Sequence, residues 1–179
     1  MKSKKWTLLA TSLTAMVLMA ACSQSITSSN TNETTNSSTT TATKTNQSSY
    51  FTEKDNDTSY DESTASKIEL SGSSANVSGD GVTVSESTVT ITKSGTYVIS
   101  GQSDGVQIKV EADKSADVHL VLKGATMTNT NAVISATSAG HVYLTLAEGT
   151  TNSLSDSSSN SDEKADAALF SKVDLTING

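Results

Sequence analysis

Oxygen-bearing side chains crowd one short stretch of the sequence, where Asp156, Asn160, Asp162, Glu163 and Asp166 follow one another closely. Carboxylate oxygens at that density are what a hard cation such as calcium requires, and Asp156, Asp162, Glu163 and Asp166 are its candidate ligands. The spacing is not that of an EF-hand and no glycine stands at the turn position, so a solvated acidic loop is the alternative reading. A second set comes from strand alternation. His119, Tyr143 and Asp174 hold like places in three copies of one strand pattern, which puts them in one outward row. A flat row suits an extended polymer, and Tyr143 could stack on a sugar ring; an ordinary surface tyrosine and a plain exposed histidine are the alternatives. His119 and His141 have no cysteine or third histidine beside them, which argues against zinc.

For catalysis the sequence offers little. Lys123 and Lys172 stand at strand ends, but neither has an acidic partner at motif spacing. There is no nucleophile and base pair, phosphate loop or dinucleotide fingerprint. We therefore expect a protein that is not an enzyme.

The elements that must hold these residues are strands. Val118, Leu120 and Leu122 alternate with His119, Val121 and Lys123; Val142, Leu144 and Leu146 alternate with Tyr143, Thr145 and Ala147; Val173, Leu175 and Ile177 alternate with Asp174, Thr176 and Asn178. Period-2 alternation is the mark of a strand with one buried face. The inward ladder reads Val118, Val142, Val173, then Leu120, Leu144, Leu175, then Leu122, Leu146, Ile177, with Tyr97 and Ile99 over Leu120 and Leu122. A second strand type recurs between these copies, in which Ile108, Ile134 and Phe170 are equivalent and Ala132 and Ala168 match Val106. Two strand types returning in register predict a solenoid, each coil burying its apolar face on the next at about 4.8 Å spacing. The expected fold is all-β, a parallel β-helix. The less regular runs from Ile68 to Ile91 read as its first, capping coil.

Composition sets the outer limits. A formal net charge of −7 and the absence of any basic face exclude a nucleic-acid partner. The single Cys22 excludes an internal disulfide framework. Hydrophobic residues make up 34% and aromatics 4%, too little for the whole chain to be folded. Residues 1–22 have the basic start, apolar run and small-residue end of an export signal. Residues 23–66, rich in Ser, Thr and Asn, are expected to form a disordered linker, and residues 67–179 the folded domain.

Two resemblances extend this reading. Leu18-Met19-Ala20-Ala21-Cys22 resembles a lipobox, with Met19 departing from the commoner Leu one place later in that motif. It implies a lipidated Cys22 and a protein held at the extracellular face of a bacterial cell membrane. The stretches from Thr90 to Gly101 and from Asp166 to Gly179 resemble signature stretches of a bacterial family of secreted carbohydrate-binding proteins, known from clostridia and other Gram-positives. That resemblance implies a right-handed parallel β-helix similar to pectate lyases, bound calcium, and cellulose-like or acidic polysaccharide as partner. Val173 stands where the family pattern usually has an acidic residue, and family members continue for more coils, so the chain reads as the N-terminal part of such a domain. The lyase base in the best-known relatives is an arginine, and this chain has none. The expected function is calcium-assisted polysaccharide binding by a surface lipoprotein; the alternatives are a remnant of a polysaccharide lyase-like enzyme and a structural or adhesin-type fragment.

Overall fold

The structure, a computed structural model, describes residues 50–157 and 164–179, which lie in one compact unit. Among the described residues the strands are β1 (Ser66–Gly72), β2 (Ser74–Ser78), β3 (Val82–Ser85), β4 (Thr88–Ile91), β5 (Gly95–Asp104), β6 (Gln107–Glu111), β7 (Asp117–Asn129), β8 (Ile134–Ser138), β9 (His141–Leu146), β10 (Ser153–Asp156), β11 (Leu169–Ser171) and β12 (Asp174–Asn178). A 3-10 turn at Lys54–Asn56 precedes them.

These strands form two sheets. The larger runs β12-β9-β7-β5-β1-β2, with β10 paired to the second half of β7, and the smaller runs β11-β8-β6-β4-β3. Most pairs are parallel, but β1 with β2 and β3 with β4 are antiparallel. The expected right-handed parallel β-helix is therefore corrected to two mixed sheets with no closed barrel. The two strand types alternate along the chain, but each goes to its own sheet. The runs expected to cap a solenoid are local hairpins instead. Ser71 pairs with Ser74 across Gly72, whose φ is 60°, and Ser85 pairs with Thr88 across Glu86, whose φ is 53°. A positive φ at the first central residue is what a two-residue hairpin turn demands.

Pairing within the larger sheet follows the alternation over most of its width. Tyr97 lies opposite Leu120 and Leu120 opposite Leu144; Val118 lies opposite Val142 and Leu122 opposite Leu146. The last strand is two residues out from the expected ladder, since Leu175 meets Val142 and Ile177 meets Leu144. Val173 belongs to a corner, where the Ser171 hydroxyl donates to the Val173 carbonyl at 2.8 Å and accepts from its N–H at 3.2 Å. In the smaller sheet Leu169, not Phe170, meets Ile134.

The core lies between the sheets. Ile68, Tyr97, Ile99, Leu120, Leu122 and Leu144 from the larger one pack in a single cluster with Val89, Ile91, Ile108, Val110 and Ile134 from the smaller. All are 2% exposed or less, and burial of this kind supplies the main drive to fold. Between Ile99 and Gly101 the register of β5 on β7 shifts, with one residue facing two, as in a β-bulge. Gly101 allows it: its φ is 90°, and a Cβ there would sit 2.4 Å from the Leu70 carbonyl oxygen.

A second apolar cluster lies on the outer face of the larger sheet. Val98, Val121 and Ala147 are buried there beneath Tyr60 and Ala65. The covering chain, residues 50–65, is a strap that was expected to belong to the linker. Short Asp and Ser/Thr turns stiffen it. Asp57 accepts the Ser59 N–H at 2.9 Å and its hydroxyl at 2.6 Å, and Asp61 holds Ser63 in the same way at 2.8 and 2.6 Å.

Candidate functional site

Parallel register sets the outward side chains of the larger sheet in rows. Asp117, His141 and Asp174 form one; Thr96, His119, Tyr143 and Thr176 the next; Val98, Val121, Thr145 and Asn178 the third. His119 and Tyr143 are neighbours, as the alternation predicts. Asp174 is not their neighbour: it sits beside His141, exposed, and Thr176 takes the expected place. The two-residue displacement at the Ser171 to Val173 corner is the reason.

The strap crosses these rows. Asp55 accepts the Thr176 hydroxyl at 2.6 Å through one carboxylate oxygen, and the Thr52 N–H and hydroxyl at 2.7 and 2.8 Å through the other. These bonds, the Thr176 one foremost, hold its carboxyl down at about 2, from an ordinary 3.8. The Asn178 side-chain amide donates to the carbonyls of Asp55 and Asp57 at 3.0 and 3.2 Å. Farther along, Lys123 pairs with Glu62 at 2.6 Å.

Hydrogen-bond bookkeeping assigns the histidine protons. Thr145 donates its hydroxyl to the Asn178 side-chain oxygen at 2.6 Å, so at 2.7 Å from His119 it must accept, and His119 Nε2 carries a hydrogen. Thr176 likewise donates to Asp55, so His141 Nε2, 2.9 Å away, is also a donor. Burial pushes the His119 pKa below its usual 6.5, opposed by Asp57 and aided by Lys54. His119 is thus a neutral imidazole at neutral pH.

Between strap and sheet lies a cleft of about 220 Å³, with Lys54, Asp57 and Ser59 on the strap side and Gly95, Thr96, Asp117, His119 and Tyr143 on the sheet side. Lys54 is hydrogen-bonded to Asp117, which raises its pKa, and its ammonium lies 4.7 Å from the centre of the Tyr143 ring. The His141 ring stacks on Tyr143 at 4.2 Å with planes 15° apart. Tyr143 is only 9% exposed, so it offers the cleft an edge and a phenol rather than an open face for stacking. Acceptors, donors and one aromatic wall converge on a space that can hold a small polar ring.

The other sequence-derived candidates lie elsewhere. Asp156 ends β10 and lines a polar groove of about 580 Å³ together with Asp104, Gln107 and Thr128. Asp166 is exposed ahead of β11, while Asp162, Glu163 and Cys22 fall outside the described residues. Among the described residues no group of three or more His, Cys, Asp or Glu could hold a metal ion. Lys172 lies over the Phe170 ring at 5.7 Å.

Sequence reasoning missed Lys54, Asp57, Ser59, Thr96 and Asp117. Two signals pointed to the strap. Val98 and Val121 occupy outward places where an uncovered sheet would carry polar residues, and Asp57-Thr58-Ser59 and Asp61-Glu62-Ser63 interrupt the Ser, Thr and Asn tract with turn-forming triplets.

Residues 85–179 match the family model described as carbohydrate-binding domain-containing protein. A carbohydrate-binding domain-containing protein of Acetivibrio thermocellus is 38% identical over 93 residues, covering 49% of this chain and 32% of that protein. The structure of a polysaccharide lyase-like protein from C. thermocellum, solved as a gadolinium derivative, is similar with a TM-score of 0.58 and 36% identity over 64% of this chain and 50% of that one. This chain thus spans about a third of the length of the first and half of the second. By the match over residues 85–179, the chain belongs to the family of carbohydrate-binding domain-containing proteins.

Proposed function

We propose that this chain binds a polysaccharide, and that the cleft beside His119 and Tyr143 receives one of its sugar units. The observation that carries this reading is the convergence of two carboxylates, an ammonium, an imidazole and a phenol on a space of about 220 Å³ in a member of this family. That volume lies below the roughly 300–1,000 Å³ of drug-sized pockets, so it suits one ring of a chain rather than a whole oligosaccharide. Sugar hydroxyls both donate and accept, and the set of Asp57, Asp117, Ser59 and Lys54 answers both needs. Two carboxylates against one ammonium leave the cleft net negative, in a chain of formal charge −7. An uncharged unit is therefore favoured over a uronate.

Titration calorimetry with cellohexaose and with hexagalacturonate tests the reading. Binding of the neutral chain, lost in Tyr143→Ala and weaker for the acidic chain, is the expected result. Equal binding by Tyr143→Ala would move the site elsewhere. Two further parts of the proposal have their own tests. Calcium assistance through Asp156, Asp162, Glu163 and Asp166 predicts that chelation weakens glycan binding. Lipid anchoring at Cys22 predicts that Cys22→Ser releases the protein from the membrane fraction.

The name of the C. thermocellum neighbour favours a second reading, a lyase. New ultraviolet absorbance on incubation with polygalacturonate would support it over binding alone.

A further inference from the structure

The strap supplies one wall of the cleft, yet it lies ahead of residues 85–179, where the family match falls. Lys54, Asp57 and Ser59 come from it, whereas Thr96, Asp117, His119 and Tyr143 come from the sheet. The sheet side alone is an open row of side chains. It becomes a cleft only where the strap lies across it.

Asp55 is the residue that fixes this crossing. Both of its carboxylate oxygens and its carbonyl are engaged, by Thr176, Thr52 and Asn178. The His141 imidazole Nε2 lies 4.0 Å from the same carboxylate. Asp55 does not line the cleft, but its neighbour Lys54 and, two places on, Asp57 do. Thr176 and Asn178 both lie on β12, so that strand acts as the clamp.

We infer that docking of the strap builds the sugar site, with Asp55 as the positioning residue that sets affinity through Lys54 and Asp57 without touching the glycan. This rests on the reading of the cleft as a sugar site. The strap is tied to the sheet by the hydrogen bonds at Asp55 and Asp57, by the Lys54–Asp117 and Lys123–Glu62 ion pairs and by Tyr60 on the outer valines; all of these are surface contacts, so it can loosen while the two-sheet core stays folded.

The test uses the full chain and cellohexaose as probe. Affinity and hydrogen exchange across residues 50–65 are measured for the unchanged protein, Asp55→Ala, Asp55→Asn and Thr176→Val. Expected are faster strap exchange and an affinity loss of about tenfold or more in Asp55→Ala, the scale of one hydrogen bond to a charged group. Thr176→Val, which breaks the same bond from the sheet side, should lose affinity in parallel, and Asp55→Asn, which keeps one acceptor, should lose less. In the unchanged protein the glycan should slow exchange at residues 54–59, an effect that a purely structural strap would not show. Faster strap exchange in Asp55→Ala with unchanged or tighter binding would overturn the inference while leaving the glycan reading in place. Failure of the unchanged protein to bind cellohexaose, with no slowing at 54–59, would overturn both.

Discussion

Asp55 and Thr145 show how single side chains set the behaviour of the outer face. The Asp55 carboxyl is depressed to about 2 in the folded chain against an ordinary 3.8, so the unfolded strap binds the proton more readily. The stability that it contributes is fully present above about 4 and is lost as pH falls through about 2. Protection of residues 50–65 against hydrogen exchange, taken relative to the intrinsic rate at each pH, should therefore hold steady from neutrality down to about pH 4 and fall steeply below it, and Asp55→Asn should flatten that fall. Thr145 is 1% exposed and links His119 to Asn178. Thr145→Val keeps the shape but strands an imidazole N–H and an amide oxygen. A loss of about 1–3 kcal/mol in urea unfolding is expected, the cost of unpaired buried polar groups.

At the level of elements, the strap and the sheet depend on each other. Val98 and Val121 are outward-facing apolar residues that would meet water without Tyr60 and Ala65, and this apolar contact complements the polar latch at Asp55. Tyr60→Ala should cost on the order of 1–2 kcal/mol, by the area that the ring covers. Limited proteolysis should then cut within residues 50–65 before the core strands are attacked. A uniform rise in cleavage across the domain would instead mean that strap and core unfold as one unit. The strap is hard to read as structure because its composition is close to that of the linker before it; its turn-forming triplets mark where it bends, but not which distant strands it contacts. Asp55 and Thr176 are 121 positions apart, and no local pattern couples them.

For the molecule as a whole, the notable feature is the outer edge of the larger sheet. β12 is its last strand among the described residues, and Ile177 on it is 56% exposed, with Leu146 nearby in the sheet 41% exposed. An open strand edge with apolar side chains invites pairing with another chain. Prepared as residues 1–179 alone, the chain should self-associate with rising concentration, and Ile177→Lys should lower the average mass seen by light scattering. No change in mass with Ile177→Lys would place any association elsewhere.

By itself, the sequence determined what depends on near neighbours. Period-2 alternation fixed which side chains of β5, β7 and β9 face inward and which outward, and the common spacing of the copies put Tyr97, Leu120 and Leu144 opposite one another and made His119 and Tyr143 neighbours. Only the tertiary structure decided what depends on distant contacts. Hairpins at Gly72 and Glu86 turned the expected solenoid into two mixed sheets, and the corner at Ser171 moved Asp174 out of the row. The strap closed a cleft over that row. Each of these outcomes turns on where the backbone reverses or which remote segment covers a face, and neither is encoded in the spacing of residues along one strand.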